Sequence, residues 1–138
     1  MLLNKLLPLL ISCSFVFGLL AFTPGTSSFS KAPNWLKGEW EGIGYQIDGQ
    51  TWDIALRYDE KDGLAIQYPT LSCGGTWTIK KASKNRLDIV ETITTGADKC
   101  DQNVQVVILK INETDISVTY YLPSYRKGPI AYTVLEKK

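Results

Sequence analysis

Apolar and polar residues alternate with a period of two from Gly38 to the C-terminus, and this alternation limits the possible folds more than any other feature. Successive side chains of a strand point to opposite faces, so alternation is typical of strands with one buried face. No stretch sustains the apolar spacing of an amphipathic helix. We therefore predict an all-β fold of eight strands, at residues 39–47, 51–58, 64–68, 76–81, 86–94, 104–111, 116–121 and 130–136.

Short connections rich in turn-forming residues separate these strands. Asp48-Gly49 favours a tight hairpin, and residues 62–63, 83–85 and 112–115 supply similar turn chemistry. Connections of this length make consecutive strands antiparallel neighbours, and a meander of eight strands loses its exposed edges when it closes on itself. The pattern predicts an eight-stranded antiparallel up-and-down β-barrel, with a β-sandwich as the alternative.

The N-terminal residues have a different character. Lys5 is the only charged side chain before Lys31, and residues 6–22 form an apolar run that small and polar residues follow. A cationic start, an apolar stretch and a small polar region are the pattern of a secretory signal peptide. We assign residues 1–25 to a signal peptide, 26–37 to a linker and barrel-floor segment, and 38–138 to the β-barrel domain.

Two other roles remain open for this hydrophobic segment. Its length is at the lower edge of what spans a bilayer, so an uncleaved membrane anchor is one alternative. Leu10-Ile11-Ser12-Cys13 resembles a bacterial lipobox, in which a lipid on Cys13 would tether the domain to a membrane. Each alternative places the domain outside the cytoplasm. We expect a secreted or periplasmic protein that contacts a membrane only through this segment.

The chain contains three cysteines. With Cys13 removed or lipidated, Cys73 and Cys100 remain as a pair, and exported proteins retain disulfides. The pair would stay as two thiols if the chain remained in the cytosol. In an up-and-down barrel the connections after odd-numbered strands emerge at one end. Both cysteines fall on such connections, so this parity places them together as a disulfide requires.

The same parity predicts an open mouth at the cysteine end. Three of the four connections after odd-numbered strands are long, at residues 69–75, 95–103 and 122–129, whereas the connections at the other end are tight. Ligand sites in small barrels lie in such mouths. We therefore expect a small molecule or a protein partner to bind there.

Composition excludes several kinds of function. Histidine is absent, which removes Ser–His and Cys–His nucleophilic chemistry and imidazole metal sites. Fifteen Lys and Arg balance fourteen Asp and Glu, without the basic excess of a nucleic-acid binder. No carboxylates are paired for acid–base chemistry, so we predict no enzyme, cofactor or bound metal. Calcium held by Asp98 and Asp101 is the alternative for a metal.

Glu91 is the leading candidate for ligand binding. It shares the predicted inner face of its strand with Ile89 and Ile93. A carboxylate inside a barrel must be paired, hydrogen-bonded or protonated. It would anchor a cationic or hydroxylated ligand, with Arg126 at the mouth as a candidate partner. The alternatives are a structural bond to tyrosine hydroxyls or loop amides, and an outward orientation.

Aromatic residues dominate the predicted inner face. They form either stacking walls for a planar ligand or a packed core. The last predicted strand adds Ile130, Tyr132 and Val134 to this face, while the strand at 104–111 is apolar on both sides and its orientation is undetermined. The aromatic candidates for ligand binding are Trp52, Tyr68, Trp77 and Tyr120.

Gly38-x-Trp40, at the start of the first predicted strand, resembles the Gly-x-Trp signature of the calycin superfamily of lipocalins and avidin-like proteins. The resemblance implies a calycin-like barrel whose floor is closed by the Trp under an Arg of the final strand. The final strand of this chain carries lysines instead. We therefore expect Arg57 or Arg86, which parity places at the closed end, to stack on Trp40.

Residues 68–75, Tyr-Pro-Thr-Leu-Ser-Cys-Gly-Gly, together with Glu91 and Cys100, give a second and more specific likeness. This stretch resembles the Tyr-Pro-x-Leu-x-Cys-x-Gly core of a group of small uncharacterised bacterial extracytoplasmic domains. The resemblance implies an exported β domain with a Cys73–Cys100 bridge, and it implies no activity.

These observations favour an exported barrel that binds a ligand or partner at the mouth formed by residues 69–75, 95–103 and 122–129. The alternative is a loop-mediated protein-interaction or enzyme-inhibitor module with a filled, ligand-free core. Its surface anchors would be Leu71, Tyr125 and Arg126.

Overall fold

The structure, a computed structural model, describes residues 31–138. The predicted signal peptide at 1–25, the lipidation candidate Cys13 and the first part of the 26–37 linker lie outside the described residues. Within residues 31–138, no helix is long and apolar enough to cross a membrane.

Eight strands form a closed antiparallel barrel in which each strand is hydrogen-bonded to the next and the last returns to the first. The prediction of an all-β, eight-stranded up-and-down barrel is confirmed, and the sandwich alternative is wrong. Two short 3₁₀ turns, at Asn34–Leu36 and Pro69–Leu71, accompany the strands. The strands are β1 (Gly38–Gln46), β2 (Thr51–Asp59), β3 (Gly63–Tyr68), β4 (Cys73–Ala82), β5 (Arg86–Thr95), β6 (Gln105–Lys110), β7 (Asp115–Tyr121) and β8 (Pro129–Lys137).

Strand β4 begins at Cys73, three residues before the predicted start. Gly74 and Gly75 continue the pairing with β3 instead of forming a loop. A Cβ at Gly75 would come 1.9 Å from the carbonyl oxygen of Thr92 on β5, so only glycine lets the two strands approach this closely here. The extension places Cys73 within the barrel wall.

The floor of the barrel is closed by Leu36 and Trp40, which are buried. The indole Nε1 of Trp40 donates to the Leu36 carbonyl over 2.9 Å. Lys137, on β8, holds its Nζ 5.1 Å from the centre of the Trp40 ring, in cation–π contact. The expected stacking of Arg57 or Arg86 on Trp40 is wrong, because both arginines are exposed and pair with surface carboxylates.

The inner face of β8 is the opposite of the predicted one. Ala131, Thr133 and Leu135 are buried, whereas Tyr132 and Val134 are 57% and 51% exposed. Apolar residues occupy both faces of this strand, so alternation alone did not distinguish the two orientations.

Pairing with β1 sets the register of β8. Tyr132 is paired with Tyr45, and their rings stack on the outside of the barrel with centres 5.9 Å apart. Thr133 points inward, where its hydroxyl donates to the Ile43 carbonyl over 2.7 Å. The orientation of β6, undetermined from sequence, places Val106 and Ile108 in the core.

Cys73 and Cys100 are joined in a disulfide with a Cα–Cα distance of 6.4 Å. Cys73 is the first residue of β4 rather than part of a connection, and Cys100 lies in the connection after β5, so both are at the mouth end of the barrel as parity predicts. Gly96 permits close packing beside the disulfide, because its φ of +64° and its missing Cβ let the chain pass close to the Ser72 carbonyl.

Candidate functional site

A pocket of about 340 Å³ opens at the disulfide end of the barrel. Its walls come from the β1–β2 turn, the ends of β2 and β3, β5, the loop after β5, and the mouth ends of β7 and β8. The interior nearer the floor is filled by packed apolar side chains. The residues that give the pocket its chemistry are Trp52, Tyr68, Glu91, Asp98, Lys99, Asp101 and Tyr120.

Glu91 lies inside the barrel and is only 3% exposed. Trp77 is its direct cross-strand partner on β4, and the indole Nε1 donates to Oε2 over 2.7 Å. The Tyr68 hydroxyl, from the end of β3, donates to the same oxygen in a short hydrogen bond. Oε1 accepts no hydrogen bond from any residue between 31 and 138, so half of this carboxylate remains available to a ligand.

Burial raises the pKa of Glu91 above its ordinary value of 4.5. The hydrogen bonds from Trp77 and Tyr68 oppose this rise because they favour the charged form, and the negative charge of Asp101 adds to it. Burial also raises the pKa of Tyr68 well above its usual value, so its hydroxyl keeps its hydrogen and remains a donor. Glu91 is therefore a carboxylate held in place by two neutral donors, with no cation among them.

Tyr120, on β7, completes the inner end of the pocket. Its ring contacts Trp52 and Trp77 edge-on, with ring centres 6.4 and 6.2 Å apart. Its hydroxyl is buried and lies near the Tyr68 hydroxyl, but it forms no hydrogen bond of ordinary geometry in the described part of the chain, and burial raises its pKa. A buried hydroxyl without a partner costs about 1–3 kcal/mol, so its presence here requires an explanation.

Trp52 reaches the pocket because Gly44 lies opposite it. The two residues are cross-strand partners, and a Cβ at Gly44 would come 2.5 Å from the Trp52 indole. Gly44 thus makes room for the Trp52 ring.

The loop after β5 is fixed beside Glu91 by Gln102. Its side-chain amide accepts from the Ile93 amide over 3.0 Å and donates to the Ile93 carbonyl over 2.9 Å. This pair of bonds imitates a neighbouring strand and holds Asp98 and Asp101 at the rim. Among residues 31–138, no three His, Cys, Asp or Glu side chains come together as a metal site.

A larger depression, of about 600 Å³, lies on the outer face of β1, β7 and β8. Its walls are side chains that stand out from the sheet, including Ile43, Tyr45, Tyr132 and Val134. The one buried polar side chain there, Thr133, already donates to the backbone. The mouth pocket is the better candidate because it contains buried polar atoms with unused hydrogen-bonding capacity.

No family model matches this chain, and no curated protein matches it. Solved structures do resemble it. The redesigned β-barrel mFAP1, bound to DFHBI, has a TM-score of 0.57 and 15% identity, over 78% of this chain and 100% of that one. EF1p2_mFAP2b, also bound to DFHBI, has a TM-score of 0.52 and 17% identity, over 80% and 100%. Another redesigned barrel has a TM-score of 0.51 and 16% identity, over 75% and 92%. Identities this low show a shared fold alone.

The structure brings together five of the six residues proposed from sequence for ligand binding. Trp52, Tyr68, Glu91 and Tyr120 line the pocket, and Trp77 supports Glu91 from behind. Arg126 does not join them. It is exposed, and its Nε donates to the carbonyl of the next residue.

Arg126 is held away because its loop folds on itself. The backbone amides of Tyr125 and Arg126 both donate to the Leu122 carbonyl. Leu122 and Tyr125 instead line a separate depression beside the mouth. The position of Asp101 as a rim carboxylate near Glu91 was not predicted from the sequence. The position of Asp101 beside Cys100 was the available signal, since the disulfide ties that segment to the mouth.

Proposed function

We propose that this protein is an exported binding protein, without catalytic activity, that holds a small molecule in the mouth pocket. The observation that carries the proposal is the cluster of Glu91 and Tyr120 in a pocket of about 340 Å³. Ligand pockets begin at roughly this size and combine apolar walls with a few placed polar groups.

The cluster is costly in a protein that binds nothing there. Glu91 is buried without a cation, and the Tyr120 hydroxyl is buried without a partner among the residues described. Elsewhere the core is built mainly from apolar side chains, and its packing does not need such polar groups. A ligand that bonds to both groups would recover the free energy lost on their burial.

The architecture supports this proposal. An eight-stranded barrel is narrow, but two redesigned barrels of similar fold are bound to the small molecule DFHBI. The mouth of this barrel also carries aromatic faces, from Trp52 and Tyr120, against which a planar or apolar body can pack.

Export is supported by the sequence and by the disulfide. The apolar run at 6–22 follows a lysine as in a signal peptide, and Cys73–Cys100 is a bond that persists outside the cytosol. We propose a secreted or periplasmic location. Attachment to a membrane would require a lipid on Cys13 or an uncleaved N-terminal segment.

A protein partner at the mouth is the second candidate function. Tyr125 is 73% exposed and Leu71 is 38% exposed, and both lie on the long loops. Exposed aromatic anchors on loops are typical of interaction and inhibitor modules. This candidate does not require the unused capacity of Glu91 and Tyr120, and for that reason we place it second.

The four indoles of the protein offer an internal test. Trp52 lines the pocket and Trp77 is bonded to Glu91 behind it, whereas Trp35 and Trp40 lie at the floor with their Nε1 groups bonded to backbone carbonyls. We would screen a library of neutral, cationic and anionic fragments by NMR of the ¹⁵N-labelled indoles. Fragments that shift the Trp52 and Trp77 signals, with Trp35 and Trp40 unchanged, support the proposal. A library in which no fragment does so contradicts it.

A further inference from the structure

The pocket carries an excess of negative charge. Three carboxylates line it, Glu91 at the inner end and Asp98 and Asp101 at the rim, against the single ammonium of Lys99. Asp101 lies close enough to Glu91 to act on its ionisation. Field lines from like charges concentrate in a partly enclosed pocket, so this one attracts cations and repels anions.

The unused hydrogen-bonding capacity in the pocket consists mainly of acceptors. Tyr68 donates its hydroxyl hydrogen to Oε2 of Glu91, so only its oxygen lone pairs remain available to a ligand. Oε1 of Glu91 accepts from no residue between 31 and 138. The Tyr120 hydroxyl contributes one hydrogen and its own lone pairs. A ligand with several N–H donors satisfies this set better than a ligand with acceptors does.

The aromatic walls favour the same kind of ligand. Trp52, Tyr68 and Tyr120 all line the pocket. Ring faces carry negative potential and attract an ammonium group or the CH groups next to it. A carboxylate at the end of an aromatic-walled pocket is thus suited to an amine with an apolar body.

We propose that the mouth pocket selects an organic cation, a primary amine whose ammonium group donates to Oε1 of Glu91 and whose apolar body packs against the pocket-facing sides of Trp52 and Tyr120. This inference rests on the proposed function, and it adds the ligand class. The pocket of about 340 Å³ admits an amine with one aromatic ring and leaves no room for a large polymer.

Three probes of nearly one shape test the charge preference. Phenethylamine, phenethyl alcohol and phenylacetate share a phenyl ring on a short chain and differ in charge at its end. We expect phenethylamine to bind at least about tenfold more tightly than the alcohol, because a charge-assisted hydrogen bond replaces a neutral one. Phenylacetate should bind most weakly, since it brings a negative charge towards Glu91 and Asp101.

Glu91→Gln should abolish this selectivity. The variant keeps the shape of the side chain and an oxygen that accepts from Trp77 and Tyr68, but it loses the negative charge. We expect its affinities for phenethylamine and phenethyl alcohol to become equal within about threefold. Glu136→Gln is the matched control, because Glu136 is an exposed carboxylate on the outside of β8. It should retain the selectivity of the wild type.

A rim variant keeps the test valid if Glu91→Gln unfolds. Asp101→Asn removes an exposed charge near Glu91 and should lower the phenethylamine affinity about twofold to fivefold, with the alcohol affinity unchanged. Equal binding of the amine and the alcohol by the wild type, or tighter binding of phenylacetate, would overturn the choice of a cation. If other fragments still shift Trp52 and Trp77, the mouth pocket stands as the binding site without this ligand class. If no probe or fragment shifts them, both proposals fail.

Discussion

Trp77 and Glu91 face each other across β4 and β5, and the indole nitrogen donates to Oε2 of the carboxylate over 2.7 Å. Tyr68 donates to that same oxygen. The concentration of both donors on one oxygen orients the carboxylate and leaves the other oxygen to the pocket. A purely structural carboxylate would be expected to use both oxygens. Glu91 thus has the structural bonds to a tyrosine and an indole, and its second oxygen supports the proposed binding role.

Removal of the two tyrosine hydroxyls in the pocket should change the free energy of unfolding differently. Tyr120→Phe deletes a hydroxyl with no partner in the described residues, so we expect the free energy of unfolding to stay the same or to rise by up to about 1 kcal/mol. Tyr68→Phe deletes a donor to Glu91 and should lower it by about 2 kcal/mol. Urea denaturation of both variants measures the difference. Equal destabilisation by the two substitutions would show that the Tyr120 hydroxyl is satisfied.

The stability of the protein should depend on pH through Glu91. Its pKa is raised in the folded chain by burial, so the folded state retains this proton at a pH where the unfolded state has released it. The contribution of Glu91 to stability is therefore greatest below its unfolded pKa, near 4.5, and falls as the pH rises towards the folded pKa.

The comparison with Glu91→Gln isolates this effect, because every other titrating group is common to both proteins. We expect the free energy of unfolding of the wild type, minus that of the variant, to decrease as the pH rises above about 4.5. Denaturation at several pH values measures it. An increase over the same range would mean that Trp77 and Tyr68 stabilise the charged form more than burial destabilises it.

The disulfide should contribute strongly to stability. Cys73 and Cys100 are 27 residues apart, and a loop of that length corresponds to about 3.5 kcal/mol in the chain-entropy description. The double substitution Cys73→Ala and Cys100→Ala should lose that amount in thermal or chemical denaturation. The wild type under reducing conditions is the control and should behave like the variant. Unchanged stability in both would show that the bond does not form.

The tight passage of the chain at Gly96 gives a matched pair of glycine variants. Gly96 and Gly128 both have positive φ, but only Gly96 lacks space for a Cβ, which would come 2.3 Å from the Ser72 carbonyl oxygen. Gly128→Ala should cost about 1–2 kcal/mol from backbone conformation alone. Gly96→Ala should cost about 1–3 kcal/mol more, because the loop must move away from Cys73. Equal losses would contradict the close approach seen at the disulfide.

Lys137, the last residue of β8, and Lys138, which follows it, should contribute differently to stability. Lys137 lies over the Trp40 ring and donates to the Trp35 carbonyl, so Lys137→Met should lower the free energy of unfolding by about 1 kcal/mol. Lys138 pairs with Glu41 at an exposed position, and Lys138→Met should leave stability unchanged within error. Thermal denaturation measures both. A loss that is equal in the two variants would exclude a special contact between Lys137 and the floor.

The barrel was predictable because each strand and each turn has a local signal in the sequence. Alternation and tight turns indicate each hairpin, and closure follows once every strand pairs with its neighbour. The orientation of β8 was not predictable from alternation, because Tyr132 and Val134 are as apolar as the residues that turn inward. The orientation is fixed by pairing with both neighbours, in which Tyr132 lies opposite Thr119 on β7 and Tyr45 on β1, and the contact with β1 joins the two ends of the barrel sequence.

The candidate site was predictable to a similar extent. Glu91 and its aromatic neighbours could be found from parity, because they lie on regular strands. The position of Arg126 could not, since the hydrogen bonds within its own loop turn it away from the pocket. The position of Lys137 over Trp40, where an arginine was expected, was also not predictable, because it depends on the exact residue at which the last strand ends.

A crystal structure of the protein soaked with the fragment that binds most tightly would test the central claim most directly. We predict density for the fragment against Trp52 and Tyr120, within hydrogen-bond distance of Oε1 of Glu91. Density in the outer depression between Tyr45 and Val134, with the mouth pocket empty, would contradict it.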